Sequence, residues 1–171
     1  MRIRLAEHTA LQFGGFKRGK IIELPVGEYV YVGSATSEKG AASLANRLVR
    51  HATRSGGKEP HNIRGEMLSR FNAIGLGNGR LKSTGQKNLR WNIDHLLDLP
   101  AADLTGACII RTPECLERRL GKFLERDLCT IIVEKGLGAN DAPGNTHLLR
   151  LAAGDPWWTM LPGRLRAHLG I

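Results

Sequence analysis

The chain has 171 residues, 42 % of them apolar, which suits one domain around one core and argues against wholesale disorder. No apolar run reaches the roughly 18 residues of a membrane-spanning helix, and Cys108, Cys115 and Cys129 form neither a disulfide framework nor a metal-spaced set. The net charge is +9 and the isoelectric point about 10.0, a balance that favours polyanionic partners.

Taken in chain order, Arg2 to Leu5 and Ala10 to Phe13 read as short strands. Lys20 to Leu24 alternates and is β-branched, Pro25-Val26-Gly27 marks a turn, and Glu28 to Val32 is a strand rich in Tyr and Val. Together they predict an antiparallel meander. Ala41 to Arg54 has a helical period, with Ala41, Leu44, Ala45, Leu48 and Ala52 as an apolar stripe. Ser43, Asn46, Arg47, Arg50, His51 and Arg54 fall on the opposite, polar side. Ile63 to Ile74 predicts a second helix, followed by a long glycine-rich loop through Gly75, Gly77, Gly79 and Gly85.

Trp91 to Leu97 is a short apolar element and Ala107 to Ile110 a predicted strand. Pro113 to Leu128 predicts a helix with Thr112 as N-cap and Pro113 at its first position. Loop follows over Gly136 to Thr146, then a last strand over His147 to Leu151 and a short terminal helix from Pro162 to Leu169. The fold class expected is therefore α/β (α+β): a small antiparallel sheet covered by helices, one domain over 1–171 with a basic insertion at about 56–90.

Charge is unevenly placed. From Arg47 to Arg90 ten cations meet only Glu59 and Glu66, so this stretch carries +8 of the +9. Such a field captures polyanions, nucleic acid among them, DNA and RNA alike, although a solvated surface without a partner has the same composition. The thiols read as reduced, so a cytoplasmic protein with no membrane partner is expected.

Several residues have the chemistry for a phosphate site. Tyr29 and Tyr31 share a strand face that ends at Gly33-Ser34-Ala35, where glycine admits a close approach. Two packed aromatics explain the same pattern. Arg47 and His51 are one helical turn apart with Arg50 and Arg54 beside them, a stripe able to clamp phosphate or simply to face solvent. Glu117 is able to hold a hard cation through one carboxylate and several waters, or to serve as a dipole partner near a helix start.

The order of these pieces resembles the GIY-YIG nuclease superfamily. Tyr31-Val32-Gly33-Ser34-Ala35 followed by Arg47-Leu48-Val49-Arg50-His51 is similar to the second half of its signature, and Glu117 matches the place of its metal-binding Glu. The nearest resemblance is to a short GIY-YIG-related family, sometimes found attached to endonuclease III. Trp91-Asn92-Ile93-Asp94-His95-Leu96-Leu97 and the run Asn140 to Leu148 fit its later motifs. Departures are the absent first half with its Tyr, Asn92 in place of a His, and Ala142 and Gly144 in place of a Cys pair.

The resemblance implies metal-dependent hydrolysis of a DNA phosphodiester. It gives Tyr31 to the attacking water, Arg47 to the transition-state charge, and Glu117 to Mg²⁺ or Mn²⁺. His51 would bind phosphate or move a proton, Tyr29 would stand in for the missing first Tyr, and Gly33, Ser34 and Asn140 would support. Arg50, Arg54, His61, Arg64 and Arg90 are the expected nucleic-acid contacts. The alternatives are a non-catalytic nucleic-acid binder of the same fold, and a structural or partner-binding module.

Overall fold

The structure is a computed structural model that describes residues 1–35, 37, 40–76, 81, 87–138 and 144–171. Five strands form one antiparallel sheet in the order β5-β1-β4-β7-β6, namely β1 Arg2–Leu5, β4 Gly27–Tyr31, β5 Ala102–Gly106, β6 Thr130–Ile132 and β7 Leu148–Leu151. β2 Thr9–Gln12 and β3 Ile21–Leu24 pair only with each other. The helices are α1 Leu44–His51, α2 Ile63–Ala73, α3 Asn92–Leu97, α4 Glu117–Glu125 and α5 Asp155–Leu169.

The expected meander is replaced by one long hairpin with a break. Leu5 faces Gly27 and Thr9 faces Leu24, so Ala6 to His8 stand against only Pro25 and Val26. Pro25 has no N–H to offer the ladder. Gly27 follows at φ +145°, a backbone state that side chains resist. β4 is thereby freed to lie at the centre of the sheet between β1 and β7.

Alternation along the strands divides two cores. Ile3, Leu5, Tyr29, Tyr31 and Leu148 face α1, α2 and α3. Val30, Leu149 and Leu151 face α4 and α5, with Leu124, Trp157, Leu161 and Leu165. Each face buries apolar side chains at roughly 25 cal/mol per Å² removed from water, so the sheet is held from both sides.

Element boundaries differ from the sequence expectations for identifiable reasons. The strand expected at Ala107 to Ile110 is instead β5 at Ala102–Gly106, because its partner β1 sets the register, from Leu5 opposite Ala102 to Arg2, the first residue of β1, opposite Gly106. The helix expected from Pro113 starts only at Glu117. Thr112 Oγ1 does accept an N–H, from Glu114 at 3.1 Å, but closes a local turn. α1 begins three residues later than expected because Ser43 is its N-cap, its side chain accepting from the Asn46 N–H. α5 begins at Asp155, with Pro156 in its first turn and Pro162 in its interior. The edge strand β6 had no sequence expectation. No described helix is long and apolar enough to cross a membrane.

Candidate active site

β4 and β7 set the centre of the site. Tyr31 is paired with Leu148, and the Val32 N–H donates to the His147 carbonyl at 2.9 Å. This register brings Tyr31 and His147 together at the sheet end, with ring centroids 6.3 Å apart. α1 closes one side: His51 lies 6.4 Å from Tyr31 in an edge-on arrangement. α4 closes the other side with Glu117, its first residue.

Glu117 has a partner on each oxygen. His147 Nδ1 is 3.0 Å from Oε1, and the Ser34 hydroxyl donates to Oε2. Burial pushes the Glu117 carboxyl up. The hydrogen bonds from His147 and Ser34, with the charges of His147 and Arg47, outweigh it and hold the group below its ordinary value. An ionised carboxylate only accepts, so His147 Nδ1 carries the proton.

Each Glu117 oxygen keeps further lone-pair capacity. That fits Mg²⁺ or Mn²⁺, hard cations that retain most of their waters and take one or two carboxylates. Among the described residues no group of three or more His, Cys, Asp or Glu is arranged to hold a metal. Glu117 is therefore the carboxylate the cleft offers beside Tyr31 and Arg47 for such a cation, the rest of whose ligands would be water.

Tyr31, Gly33, Ser34, Arg47, His51 and Glu117 all line one cleft of about 860 Å³. Tyr31 is only 6 % exposed. Gly33 is required here: a Cβ on it would sit 2.9 Å from Tyr31 Cε1. The coil from Cys108 to Leu116, where strand and helix were expected, forms another wall of the same cleft.

His51 is not on a polar outer face as the helical period implied. It is 4 % exposed, because α3 and the residues before it cover that side of α1. Asp94, fully buried, lies 3.4 Å from His51 Nδ1, in electrostatic contact but without the alignment of a hydrogen bond. Burial lowers the His51 pKa against the opposing pull of Asp94, and the nearby Lys87 and Arg50 lower it further.

Tyr29 moves out of the site. It is fully buried in the core, and its hydroxyl donates to the Pro25 carbonyl at 2.5 Å, bracing the hairpin break. Strand alternation put both tyrosines on one face correctly, but only Tyr31 reaches the sheet end.

Three expected nucleic-acid contacts serve the fold instead. Arg50 makes a two-armed pair with Asp94 at 2.8 and 2.9 Å and donates to the Asn88 carbonyl at 2.6 Å. Arg54 donates to the carbonyls of Glu59 at 2.6 Å and Ala102 at 2.5 Å. His61 is buried and joins the Leu97 carbonyl, Asp103 and the Leu104 N–H. Their guanidinium and imidazole groups are taken by intrachain partners. Arg64 is half-buried and donates to the Thr53 hydroxyl at 3.0 Å. Arg90 is exposed. Asn140 lies outside the described residues.

His147 and Asp94 were missed as site residues. Each stands in a motif that carried the resemblance, yet neither has a local pattern that marks its partner. His147 meets Glu117 thirty residues away, and Asp94 meets Arg50 forty-four residues away.

Comparison with known families gives one match: the family described as "Domain of unknown function DUF123" covers residues 1–161. The chain belongs to this family. No curated protein and no solved structure matches the chain. The DUF123 match spans every strand of the sheet and every residue of the candidate site described above.

Proposed function

We propose that this chain is a metal-dependent endonuclease that hydrolyses DNA phosphodiester bonds through a GIY-YIG-like site. The observation that supports this most is the convergence of Tyr31 from β4, Arg47 and His51 from α1, and Glu117 from α4 on one cleft. Those are the residues that the motif resemblance selects.

In this reading the phosphate enters the cleft between α1 and α4. Tyr31 orients the attacking water and accepts its proton, which requires neighbouring cations to favour the phenolate, since a free Tyr has a pKa of about 10. The water oxygen forms a bond to phosphorus while the bond to the leaving oxygen breaks. Arg47 donates to the extra negative charge as it develops. His51 supports proton movement or phosphate binding from the α1 side. Ser34 and His147 hold the Glu117 carboxylate in place. A divalent cation held by Glu117 would supply charge neutralisation at the leaving oxygen.

The supporting charge is that of Arg47 and the exposed Arg90, with a cytoplasmic setting consistent with free Cys108, Cys115 and Cys129. A non-catalytic nucleic-acid binder is the second reading, favoured by the lack of a three-ligand metal cluster among the described residues and by the slight exposure of Tyr31.

Cleavage of plasmid and single-stranded DNA with Mg²⁺ or Mn²⁺ tests the choice. Cutting that is lost in both Arg47→Ala and Glu117→Ala supports the nuclease. Cutting that survives both substitutions overturns it. Salt-sensitive binding without any cutting favours the second reading.

A further inference from the structure

Trp91 stands just before α3, outside the residues that line the cleft, and no role in the proposed chemistry uses it. Yet it touches three of the α1 side chains around the site. The Arg47 guanidinium carbon lies 4.5 Å from the Trp91 ring centroid, and that of Arg50 lies 4.2 Å from it. His51 lies 5.7 Å away, ring to ring. Cations within about 6 Å of an indole face are attracted by its quadrupole, and Trp is the strongest such ring.

The two arginines differ in what else holds them. Arg50 is fixed by Asp94 on two bonds, and Asp94 in turn accepts the Trp91 N–H and the Arg90 N–H, each at 2.9 Å. One buried carboxylate thus anchors both the backbone of Trp91 and the cation stacked on its ring. Among the described residues, Arg47 has the indole and a longer-range attraction to Glu117, with no hydrogen bond or ion pair of its guanidinium. A long arginine side chain loses rotamer freedom when it is fixed. A flat apolar face that restricts it in advance lowers that cost at the moment of phosphate contact.

We propose that Trp91 is a positioning residue: its indole, held by Asp94 and Arg50, sets the plane and direction of the Arg47 guanidinium toward the cleft. The activity part of this inference rests on the nuclease reading; the structural part does not. It assigns a task to the Trp in Trp91-Asn92-Ile93-Asp94, and explains why Trp91 and Asp94 occur three residues apart at the start of α3.

Two measurements on the full chain test it. The first is NMR of arginine Nε–H groups. In the unmodified protein Arg47 should give a distinct Nε–H signal, shifted upfield by the indole ring current. That signal should persist in Trp91→Phe and collapse to the solvent-averaged position in Trp91→Leu, with melting temperatures followed for each variant. An unshifted Arg47 signal in the unmodified protein overturns the proposal even if Trp91→Leu does not fold, and so does a signal unchanged in a folded Trp91→Leu.

The second measurement is single-turnover cleavage. Trp91→Leu should slow the chemical step by about tenfold with little change in substrate affinity, and Trp91→Phe should recover most of it. Equal rates for Trp91→Leu and the unmodified chain overturn the proposal. If the unmodified chain cuts nothing, the nuclease reading fails by itself, and the Arg47 signal still decides whether Trp91 positions that side chain.

Discussion

Tyr29 and Tyr31 are two positions apart on β4 and share a face, yet they do different things. Tyr29 is enclosed by the core, and burial pushes its phenol up to about 12, against the opposing charge of Arg150. The chain has only two tyrosines, so absorbance titration resolves them. One phenol is expected to ionise only near pH 12, and Tyr29→Phe should remove that phase; a single phase at the ordinary value in the unmodified protein contradicts the assignment. Tyr31, Ser34, Arg47 and Glu117 were legible in the sequence because the motif fixes their order along the chain. His147, Asp94 and Trp91 were visible as letters in motifs, but their roles depend on contacts between elements. A buried pair such as Glu117 and His147 has no periodic signature, only a register between β4 and β7 and the approach of α4.

The helix α1 illustrates how local pattern runs out. Of its expected stripe, Ala45, Leu48 and Ala52 are core, Leu44 is half-buried and Ala41 is exposed ahead of the helix, and His51 was assigned to solvent because a single helix shows only one apolar face. Packing of α3 buries a second, polar face through Asp94. The same holds for His61 at the start of α2, enclosed by Leu97, Asp103 and Leu104. Both histidines have pKa values lowered first by burial, and His61 further by the charge of Arg54. The unfolded chain takes up these protons near 6.5 while the folded chain resists them, so ν is larger in the unfolded state. Their contribution to stability is therefore complete above that pH and is lost as the pH falls toward the lowered folded values. Urea unfolding between pH 8 and 5 should show stability declining below about pH 6.5, with a shallower decline in His61→Gln. A flat profile over that range would show that neither imidazole is held neutral. Strand and helix boundaries were misread where tertiary pairing decides them, as at β5, whose register is set by β1.

Across the whole molecule, the charge count needs the fold to be read properly. The stretch from Arg47 to Arg90 carries ten cations against two carboxylates, but Asp94 and Asp98 lie just beyond it and fold back onto it. Asp94 takes Arg50 and lies 3.6 Å from Lys87, and Asp98 takes Lys58 at 2.5 Å. A linear window therefore overstates the free positive surface. Binding of a short DNA duplex should still weaken with salt, and Arg47→Ala and Arg90→Ala should each reduce the slope by about one counterion. Arg54→Ala should leave the slope unchanged and lower stability, because its donors belong to the Glu59 and Ala102 carbonyls. A loss of slope in Arg54→Ala as large as that in Arg47→Ala contradicts this division of tasks. The proposed activity is hydrolysis of phosphodiesters in the cleft through Arg47 and Glu117. It is tested most directly by the single-turnover rate of a labelled oligonucleotide with Mg²⁺, comparing the unmodified chain with Glu117→Gln at matched binding and folding. The rate should be lower by about 10²-fold or more in Glu117→Gln with DNA still bound; equal rates in the two proteins contradict the proposal.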